Sequence, residues 1–428
     1  MSAVASYSVT ASLSRRWRDP AAWMATADIL AILIAVSLPW STSLVAIFAT
    51  AFLVALAPFF DAKTFLQWLR RPICTLPIAL FVLAAVGTLW SDAAWGARLY
   101  AVGPTLKLLM LPALFYHFER SGRGFRVFSA FLAACVLLMV LSWIVLYAPE
   151  LKIASAASAG VPVKNYIDQS QEFALCAVAL AYPVILLLRT NRMWQAALLV
   201  AISLSFVANM MFVVVSRTAL VTMPVMLAVF AAIHLKWRSI VAIFCLMALF
   251  AGLAWTVSPQ MRWTTATFLR DYELYREQNL PTSGGLRLEY WKKSLQFLAE
   301  APVLGHGTGS TRGLFERAAV GQAGASADVV GNPHNQTLNM AVQWGAIGII
   351  ALYAMWFVHL RLFRGDGLAN WIGLLVVVQN IFTSLFNSHL FDFHEGWMYV
   401  LGVGVAGGMA LKKNSCEAEA GAERPGRS

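Results

Sequence analysis

Residues 331–350 read GNPHNQTLNMAVQWGAIGII, a turn leading into an apolar helix, with His334 at the seam. Asparagine is a preferred N-cap and proline is favoured at the first helical position. Asn332 is therefore expected to cap, Pro333 to be the first helical residue and His334 the second. The start of a helix carries partial positive charge, which disfavours an imidazolium. A neutral imidazole near a membrane surface can accept a proton, as a general base must.

Two arginines hold comparable positions. VVVSRTAL puts Ser216 at a cap and Arg217 in the first turn after it; SGGLRLEY puts Arg287 in the first turn of a loop helix. A cation in a first turn costs roughly 0.3–1 kcal/mol at an exposed site. A bound anion reverses that sign, because free helix N–H groups bind phosphate and arginine adds a bidentate fork. The three helix starts imply a site for a di-anionic or pyrophosphate group at the outer membrane surface. Each also has a plain reading: Arg217 snorkelling to headgroups, Arg287 solvated at the interface, His334 an ordinary polar helix-start residue.

Further polar residues could line the same cavity. Lys107 lies inside the fourth apolar span and Arg98 at its outer end. NYIDQSQEF offers Tyr166, Asp168 and Gln169 as contacts to an acceptor sugar, and Asn335 beside His334 is a candidate for acceptor binding or support. NSHLFDFHEG carries His389, Asp392, His394 and Glu395, an order with little resemblance to a ligand motif, and no metal is expected. His306, in LGHGTG, reads as a loop element.

These residues must be held by membrane-spanning helices. The chain of 428 residues is 59% hydrophobic and 12% charged, against about 25% charged in a soluble domain. Its apolar runs approach the roughly 20 residues a spanning helix needs, and they do not alternate as barrel strands would. The expected architecture is all-α: a polytopic helical membrane protein of about 12 spans. They fall near 22–39, 42–60, 73–90, 99–118, 126–148, 172–188, 195–214, 218–234, 239–257, 341–360, 368–386 and 397–411. Residues 1–257 thus hold spans one to nine, 258–340 a long loop, 341–411 the last three spans, and 412–428 a disordered tail.

The net charge of +11 is distributed as a topology signal. Arg15, Arg16 and Arg18, then Lys63, Arg70 and Arg71, Arg120, Arg123 and Arg126, Arg189 and Arg192, Lys236 and Arg238, Arg361 and Arg364, and Lys412 and Lys413 all fall on alternate connections. This positive-inside pattern puts both termini in the cytoplasm and excludes a nucleic-acid partner as the explanation. The cysteines form no disulfide framework, and the N-terminus shows no cleavable signal pattern. The absence of a carboxylate deep in a span counts against proton-coupled transport.

Within 258–340 two helices are expected. The first lies near 261–278. In the second, LRLEYWKKSLQFLAEAP, the residues Leu288, Trp291, Leu295 and Leu298 form one apolar stripe, opposite Glu289, Lys292, Lys293 and Gln296. It can lie on the membrane or pack on the spans. The glycine-rich stretch 305–331 reads as a flexible lid or arm.

Taken together, SRTAL (216–220), SGGLRLEYWKKSLQFLAEAPVLGHGTG (283–309) and NPHNQTLNMAVQWGAIG (332–348) resemble the O-antigen ligase family, with weaker support from LWSDAAWGARLYAVGPTLK (89–107) and NSHLFDFHEG. The resemblance implies a multi-pass protein of the bacterial inner membrane with a periplasmic active site. It implies an inverting, metal-independent glycosyltransferase that needs no cofactor or nucleotide sugar. The donor would be an undecaprenyl-pyrophosphate-linked glycan and the acceptor lipid A–core oligosaccharide. The family's two motif arginines fall on Arg217 and Arg287 and its histidine on His334. The rival readings are an O-antigen polymerase, a protein O-oligosaccharyltransferase of the same superfamily, and a lipid-linked glycan exporter.

Overall fold

The computed structural model describes residues 19–154, 158–213 and 216–422. Arg15, Arg16 and Arg18 lie outside it, as does the side chain of Arg217. The chain is all-α, and no strand occurs among the described residues. Eight of the described helices are long and apolar enough to cross a membrane. The apolar stretches Val221–His234 and Leu368–Thr383, with the helices Trp237–Val257 and Phe393–Ala422, stand at the remaining predicted spans. The outer faces carry large bare apolar residues, among them Ile47, Val54, Leu137, Leu204 and Ile350. So much exposed apolar surface suits hydrocarbon and not water.

The last helix packs on Met110–Phe118 and on Leu368–Thr383. Gly404, Gly407 and Gly408 let it close on Leu114, Phe115 and Phe118, where a Cβ would come within 2.3–2.6 Å of the nearest side-chain atoms. Small residues at such contacts are how helices approach in lipid, where no hydrophobic force drives them together. The helix continues past Leu411 to Ala422, so most of the segment expected as a disordered tail is helical.

The tenth span is not one straight helix. Gln336–Leu362 is broken at Gly345, whose φ of 57° and ψ of −148° are non-helical. A break inside a span leaves carbonyls and amides without helical partners, which lipid cannot satisfy. Residues 302–309 supply those partners. His306 N–H donates to Val342 O (2.9 Å), Gly307 N–H to Gln343 O (2.8 Å), and Ala346 N–H to Pro302 O (2.8 Å). Gly309 N–H donates to Gln343 Oε1 at 2.9 Å. The glycine-rich stretch is therefore packed structure at its start and not a free lid. Gly305, Gly307 and Gly309 all have positive φ. A Cβ on Gly305 would lie 2.5 Å from the backbone of Gln343 and Trp344.

The long loop also contains the helices Pro259–Gln278, Ser283–Glu300 and Thr311–Ala319. The expected apolar stripe of Ser283–Glu300 is only partly turned inward, Trp291 packing on a small second core. Leu288 and Leu295 are exposed, whereas Tyr290, Lys293, Ser294 and Phe297 are buried. In that second core Tyr290 and Phe297 pack with Leu314, Phe315 and, from the start of the tenth span, Val342. The charged residues expected on the polar face are satisfied there: Lys293 donates to Ser326 O (2.5 Å), and Tyr275 O–H donates to Glu289 (2.9 Å).

Gly345→Ala should destabilise the protein by about 2–4 kcal/mol, since a side chain is strained at this φ/ψ and its Cβ would meet the Val303 carbonyl. Gly103→Ala, with nothing within 4 Å of the added Cβ, should leave the thermal unfolding midpoint in detergent nearly unchanged. Equal shifts in the two variants would mean that the break carries no special constraint.

Candidate functional site

The first basic element is the start of Arg217–His234. Ser216 caps it as expected, its Oγ accepting from Ala219 N–H at 3.5 Å. Arg217 is the first helical residue, at the opposite end of its helix from His234, where the chain turns into Trp237–Val257. The helix packs against Tyr166–Ala179 and Leu368–Thr383.

Arg287 is one turn further in than expected. Thr282 caps Ser283–Glu300, its Oγ1 accepting from Gly285 N–H at 3.2 Å, so Arg287 begins the second turn. Its guanidinium is close enough to His334 and His389 to disfavour the protonated form of both rings.

At His334 the sequence reading is corrected. The N-cap is Asn335, whose Oδ1 accepts from Leu338 N–H at 3.1 Å, and the helix starts at Gln336. Asn335 also donates from Nδ2 to Leu385 O at 3.1 Å, and Gln336 N–H donates to Ser384 O at 2.8 Å. These contacts to a distant segment decide between two asparagines that are locally equivalent as caps. His334 therefore precedes the helix, in the left-handed region with φ of 53°. That conformation is uncommon for a side chain with a Cβ. It is held by Asn332, whose Oδ1 accepts from His334 N–H (3.0 Å) and from Ser388 O–H (2.7 Å).

The imidazole is part-buried. It lies beside the Tyr290 ring at 5.9 Å between centroids and 30° between planes. Nδ1 faces Asn387 Oδ1 at 2.8 Å. Asn387 Nδ2 donates to Asp392 Oδ2 at 2.6 Å, so its Oδ1 is the acceptor and His334 Nδ1 the donor. In the neutral ring, Nε2 is then the proton acceptor. Burial holds the imidazole below its ordinary pKa, the Asn387 hydrogen bond offsets part of that, and Arg287 lowers it again. Burial and not the helix dipole is thus the chief reason for a neutral ring.

The other candidates are placed differently. Lys107 is buried, and its ammonium donates to the carbonyls of Phe391 (3.0 Å) and Asp392. Arg98 donates to Ala93 O (2.5 Å) and Thr88 O (2.9 Å) and stacks on Trp95 at 4.6 Å. Both cations therefore brace backbone turns. Tyr166 is half-exposed at the start of its helix, where Asp168 Oδ2 pairs with His394 Nδ1 at 2.6 Å. Gln169 points into the interior and donates to Ser142 Oγ at 3.0 Å. His306 bonds Phe297 O through Nε2 at 2.8 Å, in keeping with a loop element.

His389, Asp392 and Glu395 bring ligand atoms within 4.8 Å of one another. The Lys107 ammonium already faces this group, paired electrostatically with Asp392 and Glu395. A positive side chain held there on the Phe391 and Asp392 carbonyls opposes a second cation. Burial pushes the Asp392 carboxyl up to about 7, Lys107 pulls it back and Asp168 raises it. Sequence reasoning weighed this segment for metal binding and missed its contact with His334. Asn332 was read as a helix cap and Asn387 was not singled out, and nothing local pairs two positions so far apart in the chain.

Lys107→Met should destabilise by about 1–3 kcal/mol, because it leaves the Phe391 and Asp392 carbonyls without their donor. Thermal unfolding of the purified protein reads this directly; an unaltered midpoint would show that the 384–392 turn stands without the ammonium.

No curated protein matches the chain. Residues 202–353 match the family described as O-Antigen ligase, a stretch that contains Arg217, Arg287 and His334 and ends before the 384–392 turn. Over that segment, this membrane protein is similar to the O-antigen ligase family.

Proposed function

We propose that the chain is an O-antigen ligase, moving a glycan from undecaprenyl pyrophosphate to lipid A–core oligosaccharide on the periplasmic face of the inner membrane. The observation that carries this reading is the His334 imidazole, held by Asn387 at Nδ1 with Nε2 left as the acceptor, beside an Arg287 whose charge disfavours its protonation. An anion clamp beside a proton acceptor is what glycosyl transfer from a lipid diphosphate requires.

In the proposed reaction, Arg217 and Arg287 hold the donor pyrophosphate. The acceptor hydroxyl oxygen attacks the anomeric carbon from the face opposite the diphosphate. The bond between that carbon and the phosphate oxygen breaks as the new glycosidic bond forms, so the configuration inverts. The hydroxyl proton passes to His334 Nε2, and the two guanidinium groups stabilise the charge that develops on the leaving diphosphate. The energy comes from the donor's own sugar–phosphate bond, and the mechanism calls on no cofactor. Arg98 and Lys107 act one step removed, by bracing the turns around the site. Asn335 supports His334 by capping the helix that follows, and Tyr166 is better placed to meet the acceptor than Gln169, which is buried, or Asp168, which is paired with His394.

His334→Ala should lower transfer by about 10²–10⁴-fold while lipid-linked donor still binds. Arg287→Ala should weaken donor binding as well as transfer. The assay uses purified protein in lipid, a labelled lipid-pyrophosphate glycan and, separately, lipid A–core, a peptide or further repeat units as acceptor. Transfer to lipid A–core alone is the expected outcome. Transfer to repeat units would make the chain a polymerase, and movement of donor across vesicles with no product would make it an exporter.

A further inference from the structure

Asn387 lies between a base and a carboxylate. Its Oδ1 accepts from His334 Nδ1 at 2.8 Å, while its Nδ2 donates to Asp392 Oδ2 at 2.6 Å. Asn332 Nδ2 approaches the same Oδ1 at 3.4 Å. An amide is indifferent to which of its ends meets a histidine, since the oxygen accepts from N–H and the nitrogen donates to a bare ring nitrogen. Asp392 removes that ambiguity. The Asp392 oxygen at 2.6 Å takes the amide nitrogen, and Asn332, oriented by the donors on its own Oδ1, turns its Nδ2 to the Asn387 oxygen, so that oxygen faces His334.

The consequence falls on the ring. A neutral imidazole has one N–H and one bare nitrogen, and an acceptor at Nδ1 selects the tautomer in which Nε2 is bare. Asn332 meanwhile fixes the backbone, by accepting from His334 N–H and from Ser388 O–H. The two asparagines thus set two different things: Asn332 the left-handed turn, and Asn387 the ring orientation and proton position. Lys107 holds the carbonyls of Phe391 and Asp392 and so keeps the carboxylate where Asn387 needs it.

We infer that Asn387 is a positioning residue for His334, an amide relay from Asp392 that fixes the imidazole with Nε2 as its proton acceptor. The inference rests on the glycosyl-transfer role proposed for His334. It differs from a carboxylate placed directly against the ring. An intervening neutral amide orients the imidazole and stabilises its protonated form only weakly, so the ring stays neutral in the resting site.

The charged and titratable groups around the imidazole come from three directions. Arg287 and Tyr290 face it from Ser283–Glu300, with Asp328 behind the Tyr290 hydroxyl. His389 comes from the 384–392 turn, itself held neutral by burial to about 4. Asp392, from the same turn, reaches it only through Asn387. Burial and Arg287 favour the neutral ring, and the Asn387 hydrogen bond favours protonation. Transfer should therefore fall as pH drops through the His334 pKa, and that acid limb is the quantity Asn387 controls.

The experiment measures kcat and donor KM across pH for the wild type, Asn387→Leu, Asn387→Asp and His334→Ala in lipid nanodiscs. Asn387→Leu should lower kcat by about 10- to 100-fold with donor KM little changed, a part of the general-base contribution. It should also move the acid limb to lower pH, because the imidazolium loses its acceptor. Asn387→Asp should move the limb to higher pH, because an added carboxylate favours the imidazolium. Opposite shifts from two substitutions at one position are not produced by loosened packing. The inference is overturned if Asn387→Leu keeps the wild-type kcat, or if Asn387→Asp leaves the limb in place; the second readout stands even where the leucine variant fails to fold. If His334→Ala transfers at the wild-type rate, the base assignment beneath it falls too. If His334→Ala is inactive and Asn387→Leu is not impaired, the relay alone falls.

Discussion

The backbone junction at Gly345 is the constraint from which the site follows. The tenth span breaks there, and residues 302–309 complete its hydrogen bonds. In water a broken helix can be solvated, but in a membrane its amides and carbonyls need protein partners. The long loop is thereby sewn into the bundle immediately after the helix that carries Arg287. The same span begins at Asn335, directly after His334. One junction thus controls both the loop helix and the start of the span, and the Arg287–His334 relationship is a consequence of it. Three left-handed glycines at 305, 307 and 309 allow the approach, which side chains would block.

A second fastening works from the other side. The turn 384–392 receives Gln336 N–H and Asn335 Nδ2 on its carbonyls. It returns Ser388 O–H to Asn332, and Leu390 N–H donates to Gln336 Oε1 at 3.1 Å. Lys107 anchors its far end from the fourth span. His334 is thus gripped between two segments that the sequence separates by some fifty residues. Its strained φ persists because the surroundings over-determine it, which is the usual condition for strain at a functional position.

The spans were legible because hydrophobicity over some twenty residues is a strong local signal. The Ser216 cap was legible for a similar reason, since serine before an apolar helix leaves one obvious start. The cap at 332–335 was not, because Asn332 and Asn335 are equally good locally and the choice is made by Ser384 and Leu385. On Ser283–Glu300 the expected stripe is divided, Trp291 packing on the second core while Leu288 and Leu295 stay exposed, because both faces contain apolar residues. That core of Leu314, Phe315 and Val342 selects Tyr290 and Phe297 over Leu288 and Leu295. Glycine content suggested flexibility at 305–309, yet glycine serves equally where two backbones must touch. Arg98, Lys107 and Gln169 were drawn into the site by residue type, and their partners, all carbonyls or hydroxyls of the scaffold, give them bracing work.

The central claim is that Arg217 and Arg287 face one diphosphate beside His334. The most direct measurement is cross-linking of an Arg217→Cys, Arg287→Cys double variant in membranes, on a background without the native cysteines, with a thiol reagent no longer than a sugar diphosphate. Convergence predicts an efficient internal cross-link that lipid-linked donor or pyrophosphate suppresses. Two thiols that each react singly from the same side of the membrane but never join would contradict it.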